Sequence, residues 1–351
     1  MRKFLIGAGL MALRASRVHR LARPFTQGIG AILLFHHVRP FAPPTPGYAP
    51  NRLLEITPAF FEVVIVKTRA LGFEIVTLDE AVARVHRAAQ GERTQPFVAL
   101  TFDDGYCDNR DHALPILRQH DAPFTVFVTT GFADHTARLW WLELEEAVRR
   151  AECIVMPQGE AALDCATPAA KLRVFNQLYW QLRAMPEAMA MDRILELSAA
   201  AGIDPASFAR DLCLDWRELG EFAREPLCTL GAHTRTHPRL ALHAAAVAQE
   251  EMASSRAIIA RQLGVEPRHF AYPVGDPTSA GPREFEMARA LGFASAVTTR
   301  PGMLFPGHAD HLTALPRVSV NGNWQDIGFI EVLLSGAPFA LWNRGRRINV
   351  A

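Results

Sequence analysis

The sequence predicts an α/β fold, a distorted (β/α) barrel that carries a helical insertion, and three observations predict it. Apolar, β-branched runs alternate with stretches of helical periodicity along most of the 351 residues, which is the rhythm of parallel βα units. The run Val98-Ala99-Leu100-Thr101-Phe102 stops at Asp103-Asp104-Gly105-Tyr106, setting two adjacent carboxylates where a strand meets the rim of an α/β barrel. A second short run, Thr229-Leu230-Gly231-Ala232, stops at His233, with His237 four residues further on.

The elements follow in chain order. Residues 1–30 open with Arg2 and Lys3, then an apolar core over 4–13, then Arg14, Arg17, His19, Arg20 and Arg23. That core is too short to span a bilayer. The expected structure is an amphipathic helix that packs on the domain, with contact between residues 1–25 and an anionic membrane surface as the alternative and an uncleaved export signal also open. Residues 31–351 read as one domain. Residues 32–35 form a strand, 42–50 a Pro-rich loop and 58–70 a helix; 73–77 form a strand leading to a helix that Asp79 can cap. Residues 98–102 carry the acid pair, 111–119 are helical, and 124–128 make a buried strand by their aromatic and β-branched content.

The rhythm breaks over about 133–226. Residues 142–150, 169–183 and 186–200 place apolar side chains at helical spacing, so this interval is predicted to be a helical insertion at the rim. Trp140, Trp141, Tyr179 and Trp180 have two readings, helix packing, which is favoured, and stacking on sugar rings. Beyond the insertion, 244–263 is a long helix, 270–272 a strand, 283–291 a helix and 294–298 a strand; 315–320 is an apolar run interrupted by Arg317.

Composition narrows the function classes. With 49% hydrophobic residues the chain can bury a large core. A net charge of +1 provides no field for nucleic acid. Five cysteines, Cys107, Cys153, Cys165, Cys213 and Cys228, lack Cys-x-x-Cys spacing, which argues against a disulfide framework and a cysteine zinc site and for a reducing compartment, cytoplasmic or membrane-peripheral. Cys107, beside the acid pair, is expected to be a packing residue. An acid pair in a buried setting has to be neutralised by a metal, by cations or by a shared proton. Imidazoles with a carboxylate suit a divalent transition ion, zinc first, with cobalt or nickel as alternatives.

Together these segments resemble the polysaccharide deacetylases of carbohydrate esterase family four, the nodulation-type deacetylase homology domain, whose first two motifs read T-F-D-D-G and H-S/T-x-x-H. Phe270-Ala271-Tyr272-Pro273-Val274-Gly275 is similar to the F-A-Y-P-Y-G segment of members acting on poly-N-acetylglucosamine, and the motif order spans roughly residues 31–320. The resemblance implies a seven-stranded barrel. By residue match it makes Asp103 the catalytic base, Asp104, His233 and His237 the metal ligands, and Tyr272 and Pro273 substrate-binding. In the poly-N-acetylglucosamine branch the motifs are permuted, and the acid that protonates the leaving amine lies near the N-terminus in a Tyr-His-x-Val type segment. Leu34-Phe35-His36-His37-Val38 resembles it, which makes His36 the acid and leaves His37, on the other face of a regular strand, a structural role. His308 and His311 are the rival acids.

The family's arginine, which holds the base, is absent from its usual place. Arg268 lies close by in sequence, but Arg317, between two apolar runs, is assigned to orient Asp103 and keep it ionised. The implied reaction is metal-dependent hydrolysis of an acetamide on an N-acetylated carbohydrate, with the backbone N–H of Tyr106 stabilising the oxyanion. A same-fold hydrolase of another amide or of an O-acetyl ester is the alternative, and a noncatalytic carbohydrate-binding protein ranks last.

Overall fold

A computed structural model describes residues 2–155 and 162–350. Seven strands make the barrel: β1 (Gly30–Phe35), β2 (Phe97–Phe102), β3 (Phe124–Val128), β4 (Cys228–Ala232), β5 (His269–Ala271), β6 (Ser295–Pro301) and β7 (Leu315–Ser319). All pair in parallel with their neighbours in chain order, and β7 closes the ring on β1 through Leu33 opposite Val318. Two irregularities distort the ring. The short strand Glu74–Val76 pairs with the first half of β2, whereas β3 pairs with its second half. The register between β6 and β7 also slips between Val297 and Pro301.

Parallel strands buried on both faces read as unbroken apolar runs, and the alternation of side chains sorts them. Ile32, Phe97, Ala99, Phe127, Ala271, Val297 and Leu315 pack together inside the barrel. Leu33, Phe35, Val98, Leu100, Phe102, Val126, Val128 and Val318 face outward against the helices. This alternation decides the site before any site residue is considered. Continued past the strand ends, it sends His36 and Asp103 inward at the tops of β1 and β2, and Arg317 inward from β7. Gly231 serves the same interior, because a Cβ there would lie 2.4 Å from the Phe127 ring.

The helix predicted to start at Asp79 is Leu78–Ala89, and its cap is Thr77, whose hydroxyl accepts from the Glu80 amide at 3.1 Å. Asp79 instead sits in the first turn, paired with Arg268 at 3.0 Å. Arg268 is thereby engaged away from Asp103. Between β3 and β4, after the one-turn helix Thr130–Ala133, the described residues form five longer helices, Trp140–Arg150, Pro168–Ala184, Glu187–Ala200, Pro205–Leu212 and Trp216–Ala223, and a short antiparallel pairing of Cys153–Ile154 with Leu163–Asp164. Periodicity found the first three of these five; the last two span only eight residues each, too few to display a period. The first three of the five share their own apolar core, built on Leu144, Val148, Phe175, Leu178, Ile194 and Leu197. Tyr48 from the Pro-rich loop joins it, its hydroxyl donating to the Glu145 carbonyl at 2.9 Å.

Candidate functional site

The site lies at the carboxyl ends of the strands, where β1, β2, β4 and β7 deliver inward-facing polar side chains. Asp103 and Arg317 are both buried and meet through two hydrogen bonds of 2.7 Å, Nη1 to Oδ1 and Nη2 to Oδ2. The guanidinium is itself fixed by Nε donating to the Thr298 carbonyl at 2.8 Å. Burial pushes the Asp103 carboxyl up, but Arg317 and then His233 outweigh it and hold it below the ordinary carboxylate range.

Asp104, His233 and His237 form a second cluster, their ligand atoms all within 4.8 Å of one another. Asp104 Oδ1 is 3.5 Å from Nε2 of each histidine, and this buried oxygen has no hydrogen-bond partner among the described residues. Donors around one ion at roughly 2.0–2.2 Å stand about 3.3–3.6 Å apart when tetrahedral. The two carboxylate–imidazole distances match that spacing, and the donor set of two imidazoles and a carboxylate oxygen fits a divalent ion. His233 Nδ1 donates to the Ala271 carbonyl at 2.7 Å, which in the neutral imidazole leaves the Nε2 lone pair directed toward Asp104.

The two histidines differ electrostatically. Burial lowers His237 to about 4, and Asp104 only partly offsets it. Burial also lowers His233, but Asp103 and Asp104 together outweigh it and raise that imidazole.

Backbone strain is concentrated here. Asp104 (φ 75°), Thr234 (φ 63°), His237 (φ 63°) and Val274 (φ 60°) occupy the left-handed region that side-chain-bearing residues avoid, and Gly105 follows Asp104 at φ 74°. Buried Glu251, from the helix Ala245–Leu263, holds the histidine loop in this shape. Its carboxylate accepts from the amides of Arg235 (2.9 Å) and Thr236 (2.8 Å) and from the Thr236 hydroxyl (2.8 Å). Glu251 carries no motif, and the only sign of it in the sequence is an acid on the apolar side of a helix.

His36 lies next to both acids. Burial lowers its imidazole, with Asp104 and Asp103 offsetting part of that effect. Its neighbour His37 points the other way, its Nδ1 2.6 Å from Asp108 and its ring stacked on Tyr106 at 3.6 Å. Asp108 also accepts from the Val38 amide at 3.0 Å, and Asn109 donates to the His36 carbonyl at 2.7 Å. The residues following the acid pair thus clamp the histidine segment, a coupling that their closeness to Asp104 in sequence could have signalled.

His308 and His311 are elsewhere. Their segment follows Leu304, which hydrogen-bonds across Gly30 at the opposite end of β1, and His308 Nδ1 is taken up by the backbone of Phe305. No hydrogen bond or ion pair joins either to Asp103 or Asp104 among the described residues. Tyr272 is not brought to the cleft either: its side chain is fully buried outside the barrel wall, its hydroxyl donating to the Thr313 carbonyl at 2.8 Å. An aromatic outward-facing position at the end of β5 packs against Phe270 and Phe285. Pro273, also buried, heads the tight turn that puts Val274, not Tyr272, on the cleft. Cys107 is half-buried against the core, and burial pushes its thiol up to about 11.

The insertion supplies one wall of the cleft. Trp140, Leu182, Arg183, Met191, Arg239 and Val274 line it beside His237. Trp141 is buried with its ring 5.1 Å from that of His237, so it packs against the Asp104–His233–His237 cluster, whereas Trp140 stacks on Tyr179 at the cleft wall.

Comparison with known proteins adds three findings. The profile of the polysaccharide deacetylase family matches residues 90–295, more than half of the chain. That span contains Asp103, Asp104, His233 and His237, while His36 and Arg317 lie on either side of it. Among solved structures the fold is similar to Streptococcus pyogenes deacetylase PplD in complex with acetate (20% identity, TM-score 0.54) and to IcaB from Ammonifex degensii (20% identity, TM-score 0.53). Each of these alignments covers 84% of this chain and 92% of the other. The putative polysaccharide deacetylase BA0330 from Bacillus anthracis is similar over 84% of this chain and 65% of its own, at 15% identity and a TM-score of 0.50. No curated protein matches the chain in sequence.

Proposed function

The chain belongs to the polysaccharide deacetylase family, and from that premise we propose that it hydrolyses the acetamide of N-acetylglucosamine-containing polysaccharide or oligosaccharide, releasing acetate and a free amine. The observation that carries this reading is the division of labour between two adjacent acids: Asp103 is held ionised by Arg317, while Asp104 faces two imidazoles.

Asp104, His233 and His237 would hold a divalent ion, zinc by the chemistry of the donor set, and that ion supplies Lewis-acid polarisation of the acetamide carbonyl. The remaining work falls to the chain. Asp103, ionised and unable to rotate in the Arg317 fork, takes a proton from the attacking water. The Tyr106 amide, in the turn that Gly105 permits, is assigned to the developing oxyanion. His36, on the neighbouring strand, delivers a proton to the departing nitrogen so that it leaves as an amine. Val274 and Trp140 form the cleft wall on which an acetylated sugar would rest.

The test is acetate release from N-acetylated oligosaccharides by the metal-loaded wild type and by Asp103→Asn. Wild-type release with a loss of about 10²–10⁴-fold in the variant is expected. No release from any N-acetylated sugar, alongside turnover of a simple amide or O-acetyl ester, would reject the substrate assignment.

A further inference from the structure

We propose that the face formed by the two N-terminal helices and the C-terminal helix docks on an anionic lipid bilayer. Helix Arg2–Ser16 packs on the domain through Leu10, with Ile6 and Leu13 beside it, against Phe329 and Val332. Its other side leaves Leu5 and Met11 exposed. The next helix, Val18–Thr26, buries only His19. Its large apolar side chains turn to solvent, Leu21 at 79% exposure and Phe25 at 72%.

The C-terminal helix Ala337–Trp342 lies against this second helix. Thr26 donates its hydroxyl to the Ser335 carbonyl at 2.6 Å, and Arg347 donates to the Phe25 carbonyl at 3.4 Å. It exposes Leu341 at 70% and Trp342 at 49%. Segments from opposite ends of the sequence thus pack together and each exposes large apolar side chains, and exposed apolar side chains gathered in this way mark a contact site.

Charge identifies the occupant. Residues 1–27 hold six cations and residues 337–351 three, with no acid in either segment. The whole chain has 37 cations and 36 acids, so the remainder has 37 − 9 = 28 cations against 36 acids, a net of −8. Arg14 and Arg20 are paired with Asp326 and Glu331. Arg17, Arg344, Arg346 and Arg347 are exposed and have no carboxylate partner among the described residues. Apolar side chains interleaved with unpaired arginines match the boundary between acyl chains and anionic headgroups. A second copy of the chain fits poorly, because a two-fold contact would set this cationic face against itself. No helix among the described residues is long and apolar enough to cross a membrane, so the contact is peripheral.

The experiment is co-sedimentation of the full chain with vesicles of phosphatidylcholine, with and without phosphatidylglycerol, at low and high salt. Binding should require phosphatidylglycerol and weaken at high salt. The double variants Leu21→Ser/Phe25→Ser and Arg344→Glu/Arg346→Glu should each bind at least about tenfold more weakly, with unfolding temperature and deacetylation of a soluble substrate unchanged. Absence of wild-type binding, or binding indifferent to lipid charge and to both variants, overturns the proposal. So does a concentration-dependent dimer in gel filtration that Leu21→Ser/Phe25→Ser abolishes, since the face would then join two copies. None of the lipid-binding or gel-filtration outcomes depends on which substrate the enzyme hydrolyses.

Discussion

Asp103 and Arg317, 214 residues apart in sequence, face each other inside the barrel through two parallel hydrogen bonds of 2.7 Å. A carboxylate clamped in this way cannot turn its oxygens freely, and a fixed lone pair is what a positioned base requires.

Removing Arg317 should therefore cost stability and activity together. Arg317→Ala leaves a buried carboxylate unpaired, a loss of about 3–5 kcal/mol, readable by denaturant unfolding. Turnover should fall by about 10²-fold as the base loses its orientation. The double variant Asp103→Asn/Arg317→Ala should be little slower than Asp103→Asn alone, because both act on one group. Additive losses would show that Arg317 acts elsewhere.

The ligand cluster should bind about one divalent ion per chain, and His233→Ala or His237→Ala should abolish that binding in elemental analysis. Glu251→Ala leaves all three donors in place but releases the loop that presents His237. A fall of about 10–100-fold in ion affinity is expected, with Glu251→Gln retaining more than Glu251→Ala. Full occupancy in both histidine variants would remove the site.

His36 should matter only where the leaving group needs a proton. His36→Ala is expected to depress acetamide hydrolysis far more than hydrolysis of an activated acetate ester, whereas His37→Ala should lack that selectivity. Equal losses on amide and ester for His36→Ala would take the acid role from it.

The insertion carries a pH dependence of its own. Glu145 is raised to about 7 by burial, with Asn51 donating to its carboxylate at 2.7 Å. Its folded pKa exceeds its unfolded value, so its contribution to stability is fully present below about pH 4.5 and is lost as pH rises through about 7. Thermal unfolding should show stability falling across that window by on the order of 1–3 kcal/mol, discounted for partial exposure. Glu145→Gln should flatten the slope, and an unchanged slope would assign it to another group.

The sequence carried more of the site than of its surroundings. Asp103, Asp104, His233 and His237 were legible because each pair ends an apolar strand within a few residues, so local chemistry and strand position coincide. Arg317 and His36 rested on weaker grounds, one cation between apolar runs and one degenerate segment. Tyr272 was misread: its motif was plain, but which wall of a strand faces the cleft is invisible in a three-residue strand. Glu251, Asp108 and Asn109 carried only faint signals, an acid on the apolar side of a helix and closeness to Asp104, since they act by accepting from or donating to backbone groups that folding alone brings near.

By itself the sequence determined the α/β class, the parallel order of the strands and the two acids with their two imidazoles. These depend on periodicity and on motifs a few residues long, which are properties of neighbours in the chain. Only the tertiary structure decided which histidine joins the acids and which stay at the far end of the barrel. It alone placed Arg317 opposite Asp103, set Trp140 at the cleft and laid the C-terminal helix beside Phe25. Each of those outcomes depends on closing the ring, which brings β7 back to β1 and juxtaposes residues whose separation in sequence carries no trace of their distance in space.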